Sequence, residues 1–180
     1  MGEFGKPLAK DTMQLERLLP GPIERVWAYL TESEKRGTWL ASGDMELRVG
    51  GKVQLNFLHS SLSPQPEPTP ERFKSMECGA GFEGTITQCD PPRLLAYTWG
   101  GDTSEVKFEL TPSGDKVLLV ITHTRLRDVD EMGLVASGWH THLGILTDQL
   151  HDQTPRPFWA TFLEVEQQYK QRLAEQDNSG

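Results

Sequence analysis

Five histidines are the residues of this 180-residue chain best suited to acid–base chemistry or metal binding. His140 and His142 lie two apart in a stretch with helical periodicity, so their side chains diverge and cannot easily hold one ion. His140 and His151 share the polar side of that stretch, but at about 1.5 Å per residue they lie roughly 16 Å apart. The spacing therefore predicts no metal site.

His142 borders the apolar side of the same stretch and is predicted to reach an internal cavity. As a general base it would need an orienting partner and a substrate within reach. The commoner alternative is a hydrogen-bonded histidine at the edge of the core. Ser137 has no evident base partner, and no nucleophile elbow, phosphate loop or dinucleotide fingerprint occurs. We predict no catalytic residue and no cofactor, and a binding role is favoured over an enzymatic one.

Aromatic side chains form the larger set of candidate site residues. Apolar pockets are lined by such side chains with few polar groups, although each one alone is more often simple core. The predicted ligand-binding residues are Trp27, Trp39, Leu55, Phe57, Phe82, Tyr97, Trp99, Phe108, Trp139, His142, Leu143 and Leu146.

The element that must position these residues is a long helix spanning Asp128 to His151. Its apolar residues cover most of the circumference, which indicates a helix embraced by the rest of the fold. Asp128 or Asp130 is the predicted N-cap. The glycines of this helix each cost roughly 1 kcal/mol relative to Ala, so we expect another backbone to approach closely, above all at Gly138.

Short segments with period-two alternation predict the strands that would surround this helix. A first strand, Thr12–Leu19, is followed by a helix over Pro22–Leu30 and a second short helix ending near Leu40. Six strands follow, at Met45–Val49, Val53–Phe57, Phe82–Ile86, Leu94–Trp99, Val106–Leu110 and Lys116–Arg125. Short links favour an antiparallel sheet. The apolar positions of Met45–Val49, Val53–Phe57 and Val106–Leu110 are expected to face the long helix.

The domain organisation is predicted as a flexible N-terminus at 1–11, a single domain at 12–173 and a flexible tail at 174–180. Alternate prolines interrupt the chain at 60–81, and a loop this long is either functional or mobile. Mobility is favoured, with a role as cover for the cavity mouth as the alternative. A last amphipathic helix runs from Trp159 to Leu173.

Three stretches carry a family resemblance: LPGPIERVWAYLT, GTITQCDPPRLLAYTWG and GWHTHLGILTDQL. They resemble the activator of heat-shock-protein-90 ATPase homologue-like family, within the SRPBCC superfamily of START and Bet v type domains. The resemblance covers roughly residues 12–173. It implies an α+β helix-grip fold, in which a curved antiparallel sheet of about seven strands wraps a long C-terminal helix, with two short helices between the first two strands. It also implies a cavity for a hydrophobic ligand.

Composition restricts the partners. The net charge of −8 disfavours nucleic acid and anionic membrane surfaces. No apolar run approaches the roughly 20 residues that span a bilayer. Cys78 and Cys89 match no metal spacing and, with no signal sequence, predict a reducing cytoplasm. A disulfide between them stays open as the alternative.

Three classes of function follow, and the fold does not decide among them. The first is binding of a small hydrophobic molecule between the sheet and the Trp139–Leu146 face. The second is protein interaction, for which the resemblance suggests a chaperone. The third is an enzyme of the cyclase or aromatase kind. A homodimer is favoured as well, with Trp159, Phe162 and Tyr169 as contacts, because an apolar helix stripe needs either its own domain or a second copy to cover it.

Overall fold

The computed structural model describes residues 3–179, in which one antiparallel sheet curves around a long helix. Met1, Gly2 and Gly180 lie outside the described residues. The strands are β1 (Lys6–Ala9), β2 (Thr12–Pro20), β3 (Lys52–Phe57), β4 (Ala80–Asp90), β5 (Leu94–Trp99), β6 (Ser104–Ser113) and β7 (Lys116–Thr124). The helices are α1 (Ile23–Thr31), α2 (Ser33–Arg36), α3 (Val129–Leu150) and α4 (Phe158–Asp177).

The sheet has the strand order β1-β2-β7-β6-β5-β4-β3, and every neighbouring pair is antiparallel. β1 and β3 form the two edges, so the sheet is open. Short turns join β4 to β7 in sequence, and such short links favour antiparallel pairing, as predicted. The two short helices α1 and α2 lie between β2 and β3. The predicted α+β helix-grip architecture is confirmed.

The long helix α3 is buried on most of its circumference. Its N-cap is Asp128, whose Oδ1 accepts a hydrogen bond from the Glu131 N–H at 2.8 Å. In return, Oε2 of Glu131 accepts a hydrogen bond from the Arg127 N–H, which makes a reciprocal cap. The Asp128 side chain caps the start of the helix, and neighbouring elements bury most of its length. The bounds predicted from the sequence therefore agree with those of the structure to within a few residues.

The predicted strand at Met45–Val49 is wrong. Met45 forms only an isolated bridge with Val53, and the side chains of Leu47 and Val49 are 43% and 64% exposed. The chain instead turns locally, with the Arg48 N–H donating to the Glu46 carbonyl and the Gly51 N–H to the Arg48 carbonyl. These turn hydrogen bonds use the backbone groups that a ladder would need. In contrast, Val53, Leu55, Val106, Phe108 and Leu110 are buried as predicted.

The flexible start predicted at 1–11 is wrong for Lys6–Ala9, which pairs with β2 as an edge strand. Just before it, the Gly5 N–H donates to the Tyr169 hydroxyl at 2.7 Å. The ring of Phe4 lies 4.7 Å from that of His140. Contacts distant in sequence hold this segment, so local periodicity could not reveal it. At the other end, α4 continues past Leu173 to Asp177.

The close backbone approach expected at Gly138 is also wrong. A Cβ atom at Gly138 would meet no atom within 4 Å, whereas one at Gly144 would meet the Arg156 side chain at 2.8 Å. The Arg156 guanidinium occupies that space while it binds Asp148 in a bidentate pair, with distances of 2.8 and 2.9 Å. Burial alone would raise the pKa of Asp148, but the hydrogen bonds from Arg156 lower it.

The apolar stripe of α4 is covered by its own domain. Trp159, Phe162 and Tyr169 are between 1% and 6% exposed. They are therefore not available as the dimer contacts predicted from the sequence. Glu166 interrupts this stripe, as its position indicated, and its buried carboxylate forms ion pairs with Arg72 and Lys170.

Two expectations from composition concern the covalent state and the membrane. Cys78 and Cys89 both carry free thiols. Within residues 3–179, none of the helices combines the length and the apolar character that crossing a bilayer requires.

Candidate ligand-binding cavity

A cavity of about 320 Å³ lies where α3, α4, the ends of β3 to β5 and the 58–79 loop meet. Its volume is at the lower end of the range for small-molecule sites. The lining residues are Phe57, His59, Phe73, Met76, Ala80, Gly81, Phe82, Trp99, Leu134, Val135, Gly138, Trp139, His142, Phe158, Trp159 and Phe162. None of these residues is an acid, a lysine or an arginine.

One face of α3 forms the floor of the cavity. Leu134, Val135, Gly138, Trp139 and His142 recur at helical spacing and so point the same way. Gly138 leaves this face open at its centre, because its missing side chain adds to the free space. The face lies towards the N-terminal half of α3, whereas the sequence placed the cavity along Trp139–Leu146.

Five of the twelve predicted ligand-binding residues line this cavity: Phe57, Phe82, Trp99, Trp139 and His142. The other seven do not line it and belong instead to the hydrophobic core or pack against it: Trp27, Trp39, Leu55, Tyr97, Phe108, Leu143 and Leu146.

The space expected between Trp139, Phe108 and Leu143 is filled. The rings of Phe108 and Trp139 pack edge to face at 5.6 Å, and Leu143 is fully buried. The ligand hypothesis is therefore wrong for that position.

The wall that sequence reasoning missed comes from the loop and from α4. Phe73 and Met76 lie in the 60–81 segment predicted to be mobile, and His59 comes just before it. Trp159 and Phe162 lie on the stripe assigned to a dimer contact, and Phe158 directly precedes it. Phe73 stacks on Trp159 at 4.9 Å, which joins the two parts. Phe73 is an aromatic residue within a mostly polar, proline-rich loop, and it was the one signal in the sequence that indicated this wall.

Polar contacts attach the loop to α4. Both carboxylate oxygens of Glu67 accept hydrogen bonds at 2.8 Å, from the backbone N–H groups of Trp159 and Ala160. These two N–H groups lie at the N-terminus of α4, and the N-terminus of a helix favours negative charge. The Ser63 hydroxyl donates to the Pro155 carbonyl at 3.1 Å, and Arg72 pairs with Glu166. The loop is therefore a wall of the cavity and covers part of it.

Replacing Glu67 with Ala is expected to destabilise the protein by about 1–2 kcal/mol, because two N–H groups at the start of α4 lose their acceptor. The free energy of unfolding in urea measures this, and hydrogen exchange at Trp159 and Ala160 should quicken. Glu71→Ala is the matched control, since Glu71 is exposed on the same loop. Equal losses in the two variants would contradict a capping role for Glu67.

A buried relay holds Trp139 in the cavity wall. The Trp139 Nε1–H donates to Nδ1 of His123 at 3.0 Å, and Nε2 of His123 lies 2.8 Å from the Ser104 hydroxyl. Because Nδ1 accepts, the neutral ring carries its proton on Nε2 and donates it to Ser104. Burial lowers the pKa of His123 to about 4. His123 therefore orients Trp139 and cannot act as a base towards Ser104.

Two further imidazoles, those of His59 and His142, lie in the cavity wall. Burial lowers the pKa of His59 to about 4. The pKa of His142 falls to about 3, mainly through burial and secondly through His59, against the opposing hydrogen bond to the Trp39 carbonyl. Both rings are neutral at physiological pH. The site combines aromatic surface with neutral nitrogen atoms, a chemistry that suits uncharged ligands.

Comparison with known families gives an independent result. The model of the family described as activator of Hsp90 ATPase homolog 1-like protein matches residues 20–151. The chain belongs to this family. The match ends at the close of α3, so α4 and its contribution to the cavity lie outside the matched region. A search of curated proteins found no match.

Three solved structures similar to this family member cover between 77% and 95% of the chain. The solution structure of a protein from Bordetella parapertussis is 44% identical, covers 95% of this chain and 93% of its own, and superposes with a TM-score of 0.78. CalU16 from Micromonospora echinospora is 20% identical over 90% and 88% of the two chains, with a TM-score of 0.66. The Aha1 dimer from Colwellia psychrerythraea is 17% identical over 77% and 95%, with a TM-score of 0.57. The last two share the fold.

Proposed function

We propose that this protein binds a small hydrophobic molecule that contains an aromatic ring, in the cavity between α3, α4 and the 58–79 loop. One observation carries the proposal. The cavity is open and uncharged, and aromatic side chains form most of its wall. Ligand pockets are typically lined in this way, by hydrophobic and aromatic side chains with a few polar groups.

The chemistry of the wall supports an uncharged or weakly acidic ligand. Trp99 and Trp139 lie 5.0 Å apart, and Phe82 packs against Trp99 at 4.8 Å. Such side chains offer flat surfaces to another ring. A charged group would lose its hydration without gaining an opposite charge in the wall. The volume of about 320 Å³ suits a molecule of two or three fused rings.

We expect an uncharged naphthalene-based probe, N-phenyl-1-naphthylamine, to bind and to quench tryptophan fluorescence, because three tryptophans line the cavity. At 100 times its dissociation constant it should stabilise the fold by about 2.7 kcal/mol. Trp27→Phe is the matched control, since Trp27 lies outside the cavity and its loss should leave quenching intact. Native mass spectrometry of the purified protein tests for a retained ligand. No quenching and no stabilisation up to the solubility limit would contradict the proposal.

A protein-interaction role is the second candidate. The family description names an ATPase activator, and one similar structure is described as a dimer. Val129 and Leu134 are 45% and 44% exposed, and both line a groove between α3 and α4. This groove would offer a chaperone or a second copy of the chain an apolar contact without disturbing the core. The cyclase or aromatase alternative has less support, because two neutral imidazoles are the only titratable groups among the described residues that line the cavity.

A further inference from the structure

The hydrogen bond of His142 determines which of its ring nitrogens carries the proton. Nδ1 of His142 lies 2.7 Å from the Trp39 carbonyl oxygen. A carbonyl can only accept, so Nδ1 must be the donor. Since the ring is neutral, Nε2 has no proton and is a hydrogen-bond acceptor.

This acceptor has no partner within residues 3–179. The only enclosed side-chain nitrogen or oxygen atoms without a partner in that range are Nδ1 of His59 and Oγ1 of Thr87. Nε2 of His142 is also unpaired but is not enclosed, so it is open to the cavity that His142 lines. An unpaired acceptor in an apolar wall is costly, and a donor brought by a ligand would offset that cost.

The surroundings of His142 select the kind of donor. Its ring lies 4.9 Å from Phe158 and 5.9 Å from His59, and no charged side chain lines the cavity. An ammonium donor would enter without a carboxylate to balance it. A carboxylate would bring a second acceptor against the lone pair. A hydroxyl group on an aromatic ring satisfies Nε2 and carries no charge.

We propose that the cavity selects hydroxylated aromatic molecules over their hydroxyl-free counterparts, because the hydroxyl donates a hydrogen bond to Nε2 of His142. This inference rests on the proposed function and identifies the substrate class of the same site. Aromatic packing supplies affinity, and the hydroxyl supplies orientation and discrimination.

The test compares three ligands of one shape: 2-naphthol, 2-methoxynaphthalene and naphthalene. Titration by tryptophan fluorescence should show that 2-naphthol binds about tenfold tighter than the other two. In His142→Leu the preference should disappear while naphthalene binding persists. In His59→Leu the preference should remain. Preference lost in His59→Leu but kept in His142→Leu would overturn the assignment.

A direct readout does not depend on a variant folding. In the ¹⁵N spectrum of the native protein, the Nε2 resonance of His142 should move upfield when 2-naphthol binds, and should not do so with 2-methoxynaphthalene. Equal affinity for all three ligands, with no change at Nε2, would refute the inference and leave the proposed function standing. Binding of none of the three would refute the proposed function itself.

Discussion

Lowering the pH from 7 to 5 is expected to destabilise this protein strongly, because buried neutral histidines must be protonated when the chain unfolds. The folded-state pKa is about 4 for His59, His123 and His140 and about 3 for His142, against 6.5 for a free imidazole. Burial is the first cause in each case. For His140 the nearby Arg17, Arg156 and Arg172 add to it.

The direction of the effect follows from proton uptake. Between pH 6.5 and 4 the unfolded chain binds more protons than the folded one, so stability is complete above 6.5 and declines as the pH falls. The two most deeply buried rings, His123 and His142, contribute up to about 1.4 kcal/mol each per pH unit. From pH 6 to pH 5 they should remove about 2–3 kcal/mol, and His59 and His140 act in the same direction.

Urea unfolding at a series of pH values measures this slope. His59→Leu should reduce the slope, because this ring makes no hydrogen bond to any described residue and its removal loses one proton-uptake site. His151→Gln is the matched control, since it replaces an exposed imidazole instead of a buried one. A free energy of unfolding that stays constant from pH 7 to 5 would show that these rings are not held neutral by the fold.

The architecture of the protein could be predicted because its determinants are local. Alternation in Val53–Phe57 and Val106–Leu110 marks strands that are buried on one face, and Asp128 marks the start of α3. The predicted number of about seven strands is correct, but one of the segments predicted to form a strand does not do so. Lys6–Ala9 replaces Met45–Val49, because distant contacts decide the first segment and competing turns decide the second.

The cavity was harder to predict, because residue type and periodicity do not distinguish a residue of the packed core from a residue that lines a cavity. Trp139 and Phe108 are both aromatic and buried, yet only Trp139 faces free space. That difference depends on where α4 and the loop come to rest. Phe73 and Trp159 meet across 85 residues of sequence, and no local pattern records such a contact.

Replacing Gly138 with Phe is expected to weaken binding of N-phenyl-1-naphthylamine by 100-fold or more, without loss of stability. A Cβ atom at Gly138 meets nothing within 4 Å, and the residue lines the cavity at the centre of its α3 face. A larger side chain should therefore extend into the ligand's space. Removing a glycine from a helix interior also stabilises it by up to about 1 kcal/mol. Titration of the probe and urea unfolding measure the two effects separately.

The series Gly138→Ala, Gly138→Leu and Gly138→Phe should lower affinity in proportion to side-chain size, while stability stays at or above that of the native protein. Gly133→Ala is the matched control. Gly133 is also a glycine of α3, but it lies outside the cavity, and a Cβ there would make only an ordinary contact with Leu173 at 3.5 Å. It should share the gain in stability and leave binding unchanged. Native affinity in Gly138→Phe would exclude this cavity as the binding site. If Gly138→Phe instead lowered the free energy of unfolding by about 1–3 kcal/mol, that loss would support the close packing at Gly138 that the sequence suggested.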